Sequence, residues 1–245
     1  MIIVKLFALV LAFCCLPGIR SHAEPAPKPQ PLYEFRSEHD PNGTGKFFMG
    51  REIAHVMGHP AAIWLERPER EEEERTDLLL DALRLRAGEV VADIGAGSGY
   101  FTWRMARLVR DGGTVYAVDI QPEMLDLLME SMRRRRVEKI VKPILGTITD
   151  PKLPAESCDT MLMVDVYHEF DHPFEMIQNM ITALKPNGRI IFVEFRKEDP
   201  KVPIKEVHKM SEAQVKKEMS IHPLRWEETL NILPQQHIIV FRKAR

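Results

Sequence analysis

The stretch Val90-Val91-Ala92-Asp93-Ile94-Gly95-Ala96-Gly97-Ser98-Gly99-Tyr100-Phe101 decides the fold. Val90–Ile94 is a short, mostly apolar run, the pattern of a strand buried on both faces. Three glycines follow at alternate positions, and a helical segment is predicted from Ser98 to Val109. Glycines in such a turn let the backbone approach a ligand without Cβ collisions, and the first N–H groups of the helix are left free. In alternating strand–helix folds this turn lies at the carboxyl ends of the strands, in the crevice where ligands bind.

Outward from this turn the alternation continues. Thr114–Ile120 reads as a strand. Pro122 then opens a helix whose apolar face is Met124, Leu127, Leu128 and Met132. Ile140–Leu145 and Thr160–Val166 are further strands. Phe174, Ile177, Ile181 and Leu184 mark a helix closed by Lys185-Pro186-Asn187-Gly188, and Arg189–Phe195 is the next strand. Ser211 and Gln214 form a capping box. Trp226–Leu233 and His237–Phe241 are separated by too few residues for a parallel crossover, so they pair antiparallel. The pattern predicts an α/β, Rossmann-like, doubly wound and mostly parallel sheet over 88–245. Upstream, residues 45–87 read as an N-terminal helical cap: a broken helix from Phe47 to Leu65 and a longer one opened by Pro68. The acidic run Glu71–Glu74 is expected to be the solvated start of that longer helix.

Twenty residues after Gly99 the second strand ends in Val118-Asp119-Ile120. A carboxylate there suits the two hydroxyls of a ribose; its competing role is to cap the helix opening at Pro122. The dinucleotide fingerprint G-x-G-x-x-G is not met, because Tyr100 occupies its last position, and Asp93 has no role in it.

At these residues the chain resembles the class I S-adenosylmethionine-dependent methyltransferases, over about 88–242. Its core is similar in style to quinone-biosynthesis and arsenite methyltransferases. The stretch around 50–70 resembles the leader region of exported bacterial methyltransferase-domain proteins. The resemblance implies seven strands, one of them antiparallel at the C-terminus, and S-adenosyl-L-methionine as cofactor. It also implies that Gly95, Gly97 and Gly99 line the methionine and ribose part and that Asp119 takes the ribose hydroxyls. Ile120 is then expected on the adenine, Asp93 to order the loop and the cofactor amino group, and the backbone around Asp165 to meet that amino group. Relatives often carry Gly-Asp after the third strand; here it is Gly146-Thr147, so Thr147 or Asp150 is left to face the adenine. Arsenite chemistry, which uses several cysteines, does not suit a chain left with Cys158 once its leader is gone.

Among the remaining candidates, His168 follows the fourth strand, beside the expected transferable methyl. It is open to two roles, a general base or a residue that orients the acceptor and packs the loop. His168-Glu169-Phe170-Asp171-His172 matches H-E-x-x-H, but it straddles a strand end and a helix start, with Asp171 expected as N-cap, so no zinc-protease site is expected. His55 and His59 lack a third ligand, and no metal site is expected. His208 and its neighbours precede a late helix, where relatives build a lid, and Glu194 and Arg196 end the fifth strand.

Hydrophobic residues are 44% and charged residues 29%, with net charge −2, which excludes wholesale disorder and a global positive field for nucleic acid. Residues 1–23, with the apolar run Leu6–Leu16 and Ser21-His22-Ala23, read as a signal peptide, and 24–44 as a linker with four prolines in its first eight residues. Export to the periplasm or medium is expected, with an uncleaved membrane anchor as the alternative. Cleavage removes Lys5, Arg20, Cys14 and Cys15, leaves the charge near about −4, and leaves no disulfide partner for Cys158. A small-molecule acceptor is the expected partner, with no nucleic acid and no stable membrane span after cleavage.

Overall fold

The computed structural model describes residues 32–110 and 112–244. The expected signal peptide and the first part of the linker lie outside the described residues. A small antiparallel sheet comes first: β1 (Tyr33–Phe35), β2 (Gly43–Phe48) and β3 (Arg51–Ala54), in that order. A 3-10 turn (His59–Glu66), α1 (Arg70–Glu74) and α2 (Thr76–Ala82) lead to the main sheet. Its elements are β4 (Val90–Ile94), α3 (Thr102–Val109), β5 (Thr114–Asp119), α4 (Pro122–Arg135), β6 (Val141–Leu145) and β7 (Cys158–Val164). They continue with α5 (Pro173–Ala183), β8 (Leu184–Arg196), β9 (Lys209–Met210), α6 (Glu212–Met219), β10 (Leu224–Leu230) and β11 (Gln236–Lys243).

Seven strands run in the order β10-β11-β8-β7-β4-β5-β6, and the two-residue β9 adds to β8. β4, β5, β6, β7 and β8 are parallel, whereas β11 is antiparallel to both β8 and β10. The expected mostly parallel sheet with one reversed strand is therefore present. β4 lies between β5 and β7, with Ile94 opposite both Val118 and Met163. The chain winds one way from β4 through β5 to β6 and the other way from β7 to β8. This reversal opens a crevice above the carboxyl ends of β4 and β7. Two apolar cores, one on each face, hold the sheet. Val91, Leu162, Ile191 and Val240 point to the face carrying α3 and α4. Ala92, Met161, Met163 and Phe192 point to the face carrying α5 and α6.

The N-terminal region corrects the sequence reading. Residues 43–54, expected as linker end and cap helix, form a hairpin. Phe48 pairs with Arg51 across Met49 and Gly50, whose φ values are 49° and 92°. A two-residue loop with both φ positive matches the twist of antiparallel strands, and Gly50 supplies it at low cost. The hairpin buries Phe47, Phe48, Ile53 and Ala54. The helix expected from Pro68 is split at Arg75, which takes a left-handed φ of 51°. The Glu71 side chain, from within α1, accepts the Asp77 N–H at 3.0 Å and the Thr76 hydroxyl and so caps α2. Glu74 is buried rather than solvated, held by Arg70 Nε at 2.9 Å and Arg67 Nη2 at 2.7 Å. At α5 the N-cap position is taken by His172, not Asp171. The Asp171 carboxylate instead pairs with Lys46 of β2 at 3.1 Å.

Candidate functional site

A cleft of about 500 Å³ opens above the carboxyl ends of the strands. That is inside the size range of small-molecule sites, roughly 300–1,000 Å³. Its walls come from the turn after β4 (Gly95, Gly97), the end of β5 (Asp119, Ile120, Gln121), the turn after β6 (Thr147, Ile148) and the end of β7 (Val164–Val166). The N-terminal region closes one side with Met57, Trp64, Leu65 and Arg70, and the segment after β8 closes another with Pro203, Ile204 and His208.

The turn is built by its glycines and by Asp119. Gly95 and Gly97 have φ values of 70° and 53°, and a Cβ on either would collide, at 2.3 Å with Val166 and at 2.7 Å with Leu65. Asp119 Oδ2 accepts the Gly97 N–H at 2.9 Å and Oδ1 accepts the Gln121 N–H at 2.9 Å. Asp119 thus ties the two adjacent turns together and keeps lone pairs facing the cleft. Burial raises its pKa, against the pull of the Gln121 and Gly97 N–H groups. Gly99 does not line the cleft. A Cβ there would meet Met132 and Leu128 at 2.8 and 2.9 Å, so this glycine lets α4 pack beneath the turn. Asp93 lies under the turn as well: it is buried and accepts the Thr102 hydroxyl at 2.6 Å, joining β4 to α3. Burial pushes its carboxyl up to about 6. Asp93 therefore joins the strand to the helix beneath the turn and stands off the cleft wall.

Asp165 stands on the wall in a left-handed conformation, φ 52°. Its Oδ2 accepts Gln236 Nε2 at 2.7 Å, while its Oδ1 is buried with no partner. Burial, with Glu74 and Glu194 nearby, raises its pKa well above the ordinary carboxyl range. An unpaired buried oxygen on a cleft wall is the acceptor that an incoming ammonium group would satisfy. Ile120 is exposed on the wall. Of the two residues left to replace the missing aspartate, Thr147 lines the cleft, while the Asp150 carboxylate is held by Lys152 Nζ at 2.8 Å.

His168 is 2% exposed, with both ring nitrogens engaged. Nδ1 lies 2.6 Å from Glu194 Oε2, and Nε2 lies 3.0 Å from His208 Nδ1. Glu194 is itself fully buried and also accepts the Tyr167 N–H at 2.9 Å. The contact between the two rings takes up His208 Nδ1 and leaves its Nε2 outside the pair. Burial holds His208 down to about 4 and pushes Glu169 up to about 7. His172, the second histidine of H-E-x-x-H, points elsewhere, to Asp171 at 2.6 Å and Lys46 at 3.3 Å. His55 and His59 share no helix, and the His59 N–H donates to Gln121 Oε1 at 2.8 Å. Arg196 turns away to carbonyls of the loop before β11.

Two wall residues, Arg70 and Gln121, escaped the sequence reading, and a third, Glu169, entered it only as part of H-E-x-x-H. Arg70 is buried, with its guanidinium 4.3 Å from the Tyr100 ring centre and hydrogen bonds to Glu74 and the Leu65 carbonyl. Its only sequence signal is the i,i+4 spacing to Glu74, which many surface pairs share. Gln121 holds the N-terminal segment over the cleft through the Met57 carbonyl and the His59 N–H. Glu169 faces His168 and His208 at 3.9 and 3.8 Å.

Comparison with known proteins agrees with this geometry. The profile of a family described as a methyltransferase domain matches residues 85–237. The ubiquinone/menaquinone biosynthesis C-methyltransferase UbiE of Citrobacter koseri is 28% identical over 118 residues, 48% of this chain and 47% of that protein. An uncharacterized methyltransferase of Mycobacterium bovis is 36% identical over 111 residues, 45% of this chain and 42% of that one. The chain spans about half the length of the curated relatives it matches. Among solved structures, a SAM dependent methyltransferase from Aquifex aeolicus superposes with a TM-score of 0.73 at 21% identity, covering 77% of this chain and all of that one. At that identity the likeness speaks for the fold. With the family profile spanning most of the chain, and the sheet order and glycine turn in agreement, this protein belongs to the methyltransferase-domain family.

Proposed function

We propose that the protein is an S-adenosylmethionine-dependent methyltransferase acting on a small, largely apolar acceptor. The observation that carries this reading is the unpaired buried Oδ1 of Asp165 in the same cleft as the Asp119–Gly97 turn. The residues fit the cofactor. Asp119 would hold the ribose hydroxyls, Asp165 Oδ1 the methionyl ammonium, and Arg70 the methionyl carboxylate. Gly95 and Gly97 leave room for its approach, and Ile120 and Thr147 stand where the adenine would lie. When bound, the cofactor supplies a methyl group on a positively charged sulfur, already electrophilic.

The chain's own residues then orient an acceptor, exclude water and manage any proton. Val166, Phe170, Met176 and Ile204 offer apolar surface, which suits a ring or chain with little charge. The proton of a heteroatom acceptor would pass to His208, which is neutral at pH 7 because burial lowers its pKa. His168, with both nitrogens engaged, would then take the second of its two expected roles and position His208, with Glu194 behind it. The similarity to a quinone-pathway C-methyltransferase favours an aromatic acceptor and carbon as the methylated atom. We further propose that residues 1–23 direct export and are removed; N-terminal sequencing of protein recovered from its host tests this, and an intact Met1 in the membrane fraction would favour an anchor. Among the described residues no helix is long and apolar enough to cross a membrane.

Titration calorimetry with S-adenosylhomocysteine and with NAD tests the central reading. Binding of the first and not the second is expected, and a folded chain that binds neither would overturn it. Turnover of methyl-labelled cofactor against a panel of quinols and phenols then identifies the acceptor.

A further inference from the structure

We infer that His168, Glu169 and His208 form a binding site for one divalent transition-metal ion, open toward the cleft. One ligand atom from each lies within 4.8 Å of the other two, and all three residues line the cleft. The two imidazole nitrogens that face each other are 3.0 Å apart. An ion about 2.05 Å from each nitrogen would subtend an angle of about 90° between them, a bite common at transition-metal centres. Glu169 is held ready for the third position. Its Oε2 accepts the Met57 N–H at 3.3 Å, so Oε1 is left facing His168 Nε2 at 3.9 Å and His208 Nδ1 at 3.8 Å. Ligand atoms around a tetrahedral zinc ion stand about 3.4 Å apart, so a carboxylate shift of roughly half an ångström completes the set.

The surroundings have the features of a ligand sphere rather than of a chance contact. Glu194 Oε2 sits 2.6 Å from His168 Nδ1, the carboxylate–histidine arrangement that fixes the tautomer and presents Nε2 to an ion. Glu194 is fully buried and anchored by the Tyr167 N–H, and the backbone carbonyl of His168 is held by Arg51 at 3.0 Å. Two imidazoles and one carboxylate favour zinc, iron(II) or cobalt(II) over magnesium, which prefers all-oxygen sites. Three protein ligands leave at least one position free for a water or an acceptor oxygen. An ion here would displace the proton shared by the two rings onto His208 Nε2, so that His208 would hold the ion in place of acting as base, and the ion would lower the pKa of that oxygen and pin the segment bearing His208 over the cleft. This role rests on the methyltransferase reading; the site itself does not.

The test uses the full chain, stripped with a chelator and titrated with cobalt(II) chloride and zinc chloride without cofactor. Metal content by mass spectrometry and the visible absorption of bound cobalt are the readouts. One equivalent per chain is expected, lost in both His208→Ala and Glu169→Gln, each verified as folded by its melting curve. Glu194→Gln should weaken binding by about 10–100-fold. His55→Ala with His59→Ala, away from the cluster, should keep the full equivalent. A wild-type chain that takes up no metal, or His208→Ala and Glu169→Gln chains that retain the equivalent, would overturn the proposal and leave Glu194, His168 and His208 as a hydrogen-bonded relay. Calorimetry with S-adenosylhomocysteine on the same samples separates the two readings. Cofactor binding without metal uptake sinks the metal site alone, and metal uptake without cofactor binding sinks the methyltransferase assignment alone.

Discussion

Replacing Asp119 by alanine removes a carboxylate that does two things at once. In the ligand-free chain it accepts the Gly97 and Gln121 N–H groups, each at 2.9 Å. Hydrogen bonds to a charged group are worth about 1.5–3 kcal/mol each, and the N–H groups left behind recover part of that from water in the open cleft. The apo protein should therefore lose about 2–4 kcal/mol. At about 2–4 °C per kcal/mol for a domain of this size, melting should fall by on the order of 10 °C. The same carboxylate still has lone pairs for the two ribose hydroxyls, so affinity for S-adenosylhomocysteine should weaken by about 10–100-fold, or roughly 1.4–2.8 kcal/mol. Asp119→Asn should fall between, because its single oxygen keeps one N–H and its NH2 opposes the other. The assay is calorimetric titration at a temperature where all three chains are folded, with apo melting curves alongside. A lower melting temperature with an unchanged dissociation constant would refute the ribose role and leave Asp119 as a cap alone.

Gly97→Val should abolish binding of S-adenosylhomocysteine in a chain that still folds, since the new side chain enters the cleft wall at a φ of 53°; retained affinity would show that the turn is only structural. Asp93 has a carboxyl raised from its ordinary value to about 6, so its burial removes stability as pH rises from about 4 to 6. Asp93→Asn keeps an acceptor for Thr102 and should raise apo stability at pH 7 by on the order of 2 kcal/mol, read as a higher melting temperature, with the gain vanishing near pH 4; a loss at pH 7 in the melting curves would contradict this. Arg51 and Glu218 form a buried pair at 2.8 Å that joins β3 to α6, and Tyr167 donates to Glu218 at 2.6 Å. Arg51→Met strands the Glu218 charge and should cost about 3–5 kcal/mol, with partial recovery in the Arg51→Met, Glu218→Gln double variant when both are unfolded in urea.

The parallel core was legible in the sequence because its signals are local. Val90–Ile94, the glycines at 95 and 97, and Pro122 each act within a few residues, and the short link at Pro234-Gln235 leaves the final strands no partner geometry but an antiparallel one. The same locality explains Asp119, which follows the turn by a fixed strand–helix–strand length. What only the tertiary structure decided is where chains distant in sequence meet. The 43–54 hairpin reads as the end of a linker and the start of a helix, and it is committed to strand by two positive φ values at Met49-Gly50 and by docking through Arg51 onto α6 and the His168 carbonyl. Glu74 reads as solvent-facing until Arg67 and Arg70 are placed against it. Asp93 and Gly99 share the motif with Gly95 and Gly97, but packing against Thr102 and α4 turns them away from the cleft. His168 is open to two roles in the sequence, base or positioning residue, and only the fold shows that Glu194, 26 residues away, and His208, 40 residues away, engage its two nitrogens. Burial then lowers the pKa of His208, and burial is a property of the assembled sheet that no single stretch of sequence carries.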